Sequence, residues 1–328
     1  MSFRVPTPSL TARRGDFPHP ADRLARFQLA RHRFTVTASS HFRLGMFPGS
    51  TWHGGFQGVL RRPSSLFHAY FFEPRLPPNT PRGLARLSPP KPFVLTPLSG
   101  GETHYQPGDE LGFELVLFGY SVHHFSVCLD AFAELGKRGF GSDKGYFTLS
   151  TVDLIQPRGE PLPVFRSSGG LPQWGGPFHC DALSVAGVPD ATRMEGVRLE
   201  FATRVRLKSG NRLLRRAPSF PELFGRLLDR LNMLAWVHQG FEITDAEIQE
   251  KLLRHARTVE LVEDRLRWSE WSRFSTRQQE WMKFGGLLGE VAYGGDLTPF
   301  LPYLRLAEWL HLGGKSSFGL GRVHLKPE

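Results

Sequence analysis

Residues His311 to Lys326 read HLGGKSSFGLGRVHLK, and no other stretch limits the fold as much. A helix-like run, Leu301 to Leu310, feeds Gly313-Gly314-Lys315-Ser316-Ser317-Phe318-Gly319-Leu320-Gly321, and a strand-like segment, Arg322 to Leu325, follows. Four glycines in nine residues let backbone N–H groups crowd against a ligand, and Lys315 adds charge where they converge. That combination suits a phosphate backbone. A Walker A loop is excluded, because Trp309 stands where its first glycine belongs and the order is helix, loop, strand rather than strand, loop, helix. The dinucleotide fingerprint fails on the same topology. Taken alone, the stretch is also compatible with a plain hairpin turn.

A similar closing unit occurs earlier. Val122, Phe125, Leu129 and Phe132 form the core-facing stripe of a helix over Val122 to Leu135, with Gly136 placed as its C-cap. The loop GKRGFGSDKG (Gly136 to Gly145) and a strand over Tyr146 to Ile155 come next. Upstream, alternation from Leu29 to Ala38 predicts a half-buried strand. Pro48-Gly49 breaks it, and Ser50 is the expected N-cap of a helix reaching about Arg62. Residues 61–107 are proline-rich and loop-like, with Phe93-Val94-Leu95 as a short edge strand; Glu110 to Phe118 is a further strand.

The second half repeats this plan. Val197 to Leu207 alternates as a strand, and Ser219 caps a helix to about Val237. Thr258 to Trp268 and Leu287 to Tyr293 read as strands, and Asp296 caps the last helix. The order β-α-β-β-α-β, twice, is the α+β plan of two tandem ferredoxin-like (RRM-like) domains closed by a glycine-rich loop. The expected boundaries are an irregular segment 1–24, domains 25–156 and 196–328, a hairpin or linker 157–195, and the loop at 313–321.

A chain of 328 residues with 40% apolar and 12% aromatic residues can bury a full core. Its net charge of +10 predicts salt-sensitive attraction to polyanions. With only Cys128 and Cys180, a disulfide framework or zinc-type cluster is not expected. There is no membrane-length apolar run and no signal-type segment, so a cytosolic protein without membrane partners is the default. Carboxylate clusters and ligand-spaced His/Cys sets are missing, and adjacent His123 and His124 point to different sides of a helix. Metal or cofactor chemistry therefore has little support. On the helix after Pro48, His53, Gln57 and Arg61 share a polar stripe opposite Trp52, Phe56, Val59 and Leu60.

The run GGLLGEVAYGGDLTPFLPYLRLAEWLHLGGKSSFGLGRVHL (Gly285 to Leu325) resembles the C-terminal signature of CRISPR repeat-processing endoribonucleases of the RAMP superfamily. WSEWSRFSTRQQ (Trp268 to Gln279), PSFPELFGRLLDRLNML (Pro218 to Leu234) and FPGSTWHGGFQGVLRR (Phe47 to Arg62) are similar to the same family. The resemblance implies metal-independent cleavage of CRISPR precursor RNA within its repeats. The substrate's 2′-hydroxyl attacks the adjacent phosphate, giving a 2′,3′-cyclic phosphate and a 5′-hydroxyl. It also implies a catalytic histidine on or beside the first helix, for which His53 is the match, His41 the second candidate and His311 the third. Lys315, Ser316, Ser317 and the amides of Gly313, Gly314, Gly319 and Gly321 are the candidate RNA-binding groups, with Arg61, Arg62 and Arg322 as backbone clamps. Many bacterial relatives carry a cysteine cluster in the segment matching Leu60 to Phe72, and this chain has none there. The alternative is a non-catalytic RAMP subunit holding guide RNA beside other CRISPR effector subunits. A general RRM-like binder is disfavoured by the lack of an aromatic RNP signature.

Overall fold

The computed structural model describes residues 20–61, 65–98, 103–167, 179–187, 194–275 and 280–327. The first unit runs β1 (Gln28–Ala38), α1 (Gly49–Leu60), β2 (Phe93–Pro97), β3 (Glu110–Phe118), α2 (Phe125–Arg138) and β4 (Phe147–Ile155). The second runs β5 (Gly196–Val205), α3 (Phe220–Gln239), β6 (Glu260–Ser269), β7 (Gly286–Gly294), α4 (Leu301–Leu310) and β8 (Val323–Pro327). Their sheets are ordered β2-β3-β1-β4 and β6-β7-β5-β8, antiparallel throughout. This is the same ferredoxin-like order twice, with Leu162–Arg166 added outside β4.

Alternation in β1 decides what each face of the first sheet meets. Ala30, Phe34 and Val36 point to α1 and α2, where Phe34 stacks on Phe113 at 4.8 Å and Trp52 lies 4.3 Å from Phe113. Leu29, Val94, Val116 and Phe118 point the other way and join one core with Leu231 and Leu234 of α3 and Leu306 of α4. Each such side chain taken from water is worth about 1.5–3 kcal/mol, so the halves are joined by packing rather than by a tether. The outer face of the second sheet stays open. There Lys326 lies 2.7 Å from Glu290 and 3.1 Å from Glu200, and Arg198 is 2.5 Å from Glu263.

Several boundaries differ from expectation for identifiable reasons. Pro48 precedes α1 directly, so Ser50 lies inside the helix and is not its cap; its Oγ donates to the Phe47 carbonyl at 3.4 Å. Gly136 does not end α2. The helix continues to Arg138 and Gly139 follows it at φ 91°, while Gly136 leaves room for the Phe147 carbonyl. Asp296 bonds the Thr298 N–H at 3.2 Å and so opens a 3-10 turn, Thr298–Phe300, before α4. Helices Ala21–Arg26, Leu66–Phe72 and Ala246–Ala256 and the hairpin Ser272–Ser275/Glu280–Lys283 have no counterpart in the sequence reading. Among the described residues, no helix is long and apolar enough to cross a membrane.

Candidate active site

The stretch after α4 does not spread outward. His311, Gly313, Lys315, Gly319 and Gly321 all have positive φ, between 59° and 83°, which folds residues 311–321 back on the protein. At Gly321 the Leu312 carbonyl occupies the place a Cβ would take, and at Gly319 the Leu95 carbonyl of β2 lies 2.8 Å from that place. These glycines thus bring protein backbone together, and the loop lies against edge strand β2 of the first sheet. On its other flank the Gly319 carbonyl accepts from Thr203 Oγ1 at 2.9 Å. The amides of Gly314, Phe318, Gly319 and Gly321 donate to Arg206, Lys315, Ser316 and Arg204. The amides of Gly313, and of Ser316 and Ser317 at the head of a 3-10 turn, are not among these and remain candidates for a ligand.

The start of α1 docks on this loop, because Gly49 leaves room for the Phe318 carbonyl. One turn later comes His53, 4% exposed, its ring stacked on Phe318 at 3.7 Å and edge-on to Phe72 at 5.3 Å. His53 Nε2 is 2.9 Å from Lys91 Nζ. An ammonium only donates, so Nε2 is the acceptor and the ring proton sits on Nδ1. Lys91 Nζ also lies 5.0 Å from the Phe72 centroid and 5.5 Å from that of Phe318. His238 of α3 donates from Nε2 to the Pro90 carbonyl at 2.9 Å, fixing the backbone just before Lys91.

His311 occupies a different place. It is 3% exposed, with Nδ1 donating to the Leu320 carbonyl at 3.0 Å and Nε2 3.4 Å from Thr96 Oγ1. Burial, with nearby Arg230, Arg322 and Arg31 adding to it, pushes its pKa down to about 3. It is a neutral brace between loop and β2. His41 is exposed beside Ser40, whose Oγ accepts from the Tyr146 amide at 2.9 Å.

Lys315 Nζ donates to the Lys283 carbonyl at 2.9 Å and sits 3.7 Å from the Phe284 centroid. Ser316 and Ser317 are buried, and Gly314 is exposed. Arg61 is exposed just past α1, while Arg62 lies outside the described residues. Arg322 turns to the face opposite His53, where its guanidinium is 3.8 Å from Glu114. Glu114 also holds Arg31 at 2.5 Å and Arg33 at 2.9 Å. Burial acts to raise the Glu114 pKa, but the three arginines outweigh it and keep the group ionised.

Sequence reasoning missed Lys91 and Phe318. Lys91 stands in Pro89-Pro90-Lys91-Pro92, where three prolines restrict the backbone around a single cation, and that was the available signal. Among the described residues, no group of three or more His, Cys, Asp or Glu could hold a metal ion.

Residues 199–323 match the family model of the CRISPR-associated endoribonuclease Cas6, and residues 27–173 match a model described as an N-terminal domain. No curated protein matches the chain by sequence. A Cas6 product complex superposes with a TM-score of 0.57 at 18% identity, over 91% of this chain and 100% of that one. Thermus thermophilus Cas6 gives 0.54 at 17% identity, over 92% and 99%. A partial Cas6-RT-Cas1–Cas2 complex gives 0.60 at 14% identity, over 93% of this chain but 47% of that one. Residues 199–323 thus carry a Cas6 endoribonuclease-family domain, and the fold across both halves is that of Cas6 proteins.

Proposed function

We propose that the protein cleaves CRISPR precursor RNA within its repeats without a metal ion, using the substrate's own 2′-hydroxyl as nucleophile. The observation that carries this reading is the His53 Nε2 to Lys91 Nζ pair, 2.9 Å apart beneath the loop. In the reaction the 2′-oxygen bonds to phosphorus and the bond from phosphorus to the 5′-oxygen breaks. His53 Nε2 takes the 2′-hydroxyl proton, and the Lys91 ammonium gives one to the departing 5′-oxygen. The products are a 2′,3′-cyclic phosphate and a 5′-hydroxyl. Lys315, with the amides of Ser316 and Ser317, would face the scissile phosphate, where preset donors matter most as charge builds on it. Repeat RNA is the partner.

One observation favours a second reading. Phe318 stacks on His53 and leaves it 4% exposed, as suits a subunit that binds guide RNA beside other CRISPR subunits without cutting. Purified protein, repeat RNA and EDTA separate the two. Cutting in EDTA is expected, and one 2′-deoxy nucleotide just 5′ of the scissile phosphate should abolish cutting while sparing binding. His53→Ala should lose about 10²–10⁴-fold in rate. Cutting of the deoxy substrate would overturn the mechanism. Normal rates for both His53→Ala and Lys91→Ala would move the proton carrier to His41.

A further inference from the structure

α4 presents the wrong electrical end to an anion. Aligned peptide dipoles leave about half a negative charge at a helix C-terminus, which is why phosphates collect at N-termini. Here Leu310 closes α4 and the loop begins at the next residue. Left alone, that end would repel the phosphodiester the loop is read as holding.

Arg230 of α3 meets this end. Its Nε donates to the Leu310 carbonyl at 2.7 Å, and its Nη2 is sealed from solvent with no hydrogen-bond partner. No carboxylate faces it among the described residues, and burial pushes its pKa down to about 10. A half-buried arginine with one terminal nitrogen sealed and no counterion is costly to keep. Its charge is felt at both His311 and His238, next to the loop and next to Lys91. Among the described residues, the negative helix end is the opposing charge it meets.

We propose that Arg230 is a positioning residue that cancels the negative end of α4, allowing the loop at 313–321 to accept an RNA phosphodiester. The proposal rests on the reading of that loop given above. Arg230 touches no substrate. It acts through the Leu310 carbonyl and through its field, so a neutral donor in its place would keep the bond and lose the effect.

The test is binding of repeat RNA, made uncleavable by one 2′-deoxy nucleotide, to Arg230→Gln, Arg230→Lys and Lys315→Ala at low and moderate salt, with thermal melts alongside. Glutamine can still donate to Leu310 but carries no charge; lysine carries the charge without the fork. The expected result is a loss of about five- to thirty-fold for Arg230→Gln, the worth of a charge at a helix end. That loss should shrink as salt rises, and Arg230→Lys should bind within about threefold of wild type. A purely structural role predicts the reverse order, with glutamine near wild type and lysine impaired. That order, equal losses in both variants, or a salt-independent loss overturns the proposal. Wild-type binding by Lys315→Ala would instead overturn the loop reading itself. Should Arg230→Gln fail to fold, Arg230→Lys still decides, since weak binding by a folded lysine variant is incompatible with a charge role.

Discussion

Two turns join a helix to the last strand of each unit, and they use glycine and lysine to opposite ends. After α2, Gly139, Gly141 and Lys144 have φ of 91°, 76° and 51°. That turn closes on itself through a Phe140–Gly145 bridge, and a Cβ at Gly141 would meet nothing closer than 3.7 Å. After α4, the same kind of residues are clamped between Arg206, Leu312 and Leu95, and the turn ties one unit to the other. A shared local pattern has produced a turn anchored within its own unit, through buried Phe140, in one place and a keystone between domains in the other. The difference lies in what each turn rests on.

The sharpest way to break the comparison is to put the same methyl group in both. Gly321→Ala meets the Leu312 carbonyl at a positive φ and should cost about 4 kcal/mol or prevent folding, combining overpacking with backbone strain. Gly141→Ala should cost about 1 kcal/mol, strain alone. Urea unfolding of the two variants checks this, and equal losses would end the distinction.

Acid should also act on the second turn. His311 has its folded pKa held near 3, below its value in the unfolded chain, so unfolding takes up a proton in mild acid. Its contribution is complete above about pH 6.5 and is lost as pH falls from there toward 3, about 1.4 kcal/mol by pH 5.5. His32, near 3, and His238, near 4, add in the same direction, both lowered first by burial. A folded His311→Gln should show a correspondingly shallower fall of stability between pH 7 and 5.5. An unchanged slope would mean His311 is charged in the fold.

Affinity for repeat RNA separates the lysines. Lys315→Ala should weaken binding about tenfold, the worth of a hydrogen bond to a charged group, and Lys144→Ala less than twofold. Lys144→Gly relieves a left-handed backbone and should stabilise by about 0.5–1 kcal/mol in a thermal melt.

Much of the fold was legible because it is local. Alternation marked β1 and β5, and Ser219 caps α3 as expected, in a capping box with Glu222. Helix Ala246–Ala256 carried a signal that went unread. Asp245 caps it, accepting from the Ile248 amide at 3.0 Å, but its apolar side is narrow and its surface is laced with Glu247–Lys251 and Glu250–Arg254 pairs. The site was legible only in its parts. His53 could be placed on a helix, but nothing local announces that Lys91 will donate to it or that Phe318 will lie across its ring. The helix start slipped for the same reason, since Gly49 is fixed by the Phe318 carbonyl and not by a neighbouring cap.

The loop's seat on β2 also has a consequence for the order of events during synthesis. Leu95 and Gly319, in contact in the finished molecule, are separated by more than two hundred residues of chain. A nascent first unit can pair its own strands and fill the core under α1 and α2. Yet β2 then stands at an unfinished border, and Leu29, Val94, Val116 and Phe118 face water until α3 and α4 arrive. Contacts of such long range form late and slowly. Until they do, the half-made protein offers an apolar sheet face and unpaired backbone to any neighbour, the two features that most readily lead nascent chains to aggregate.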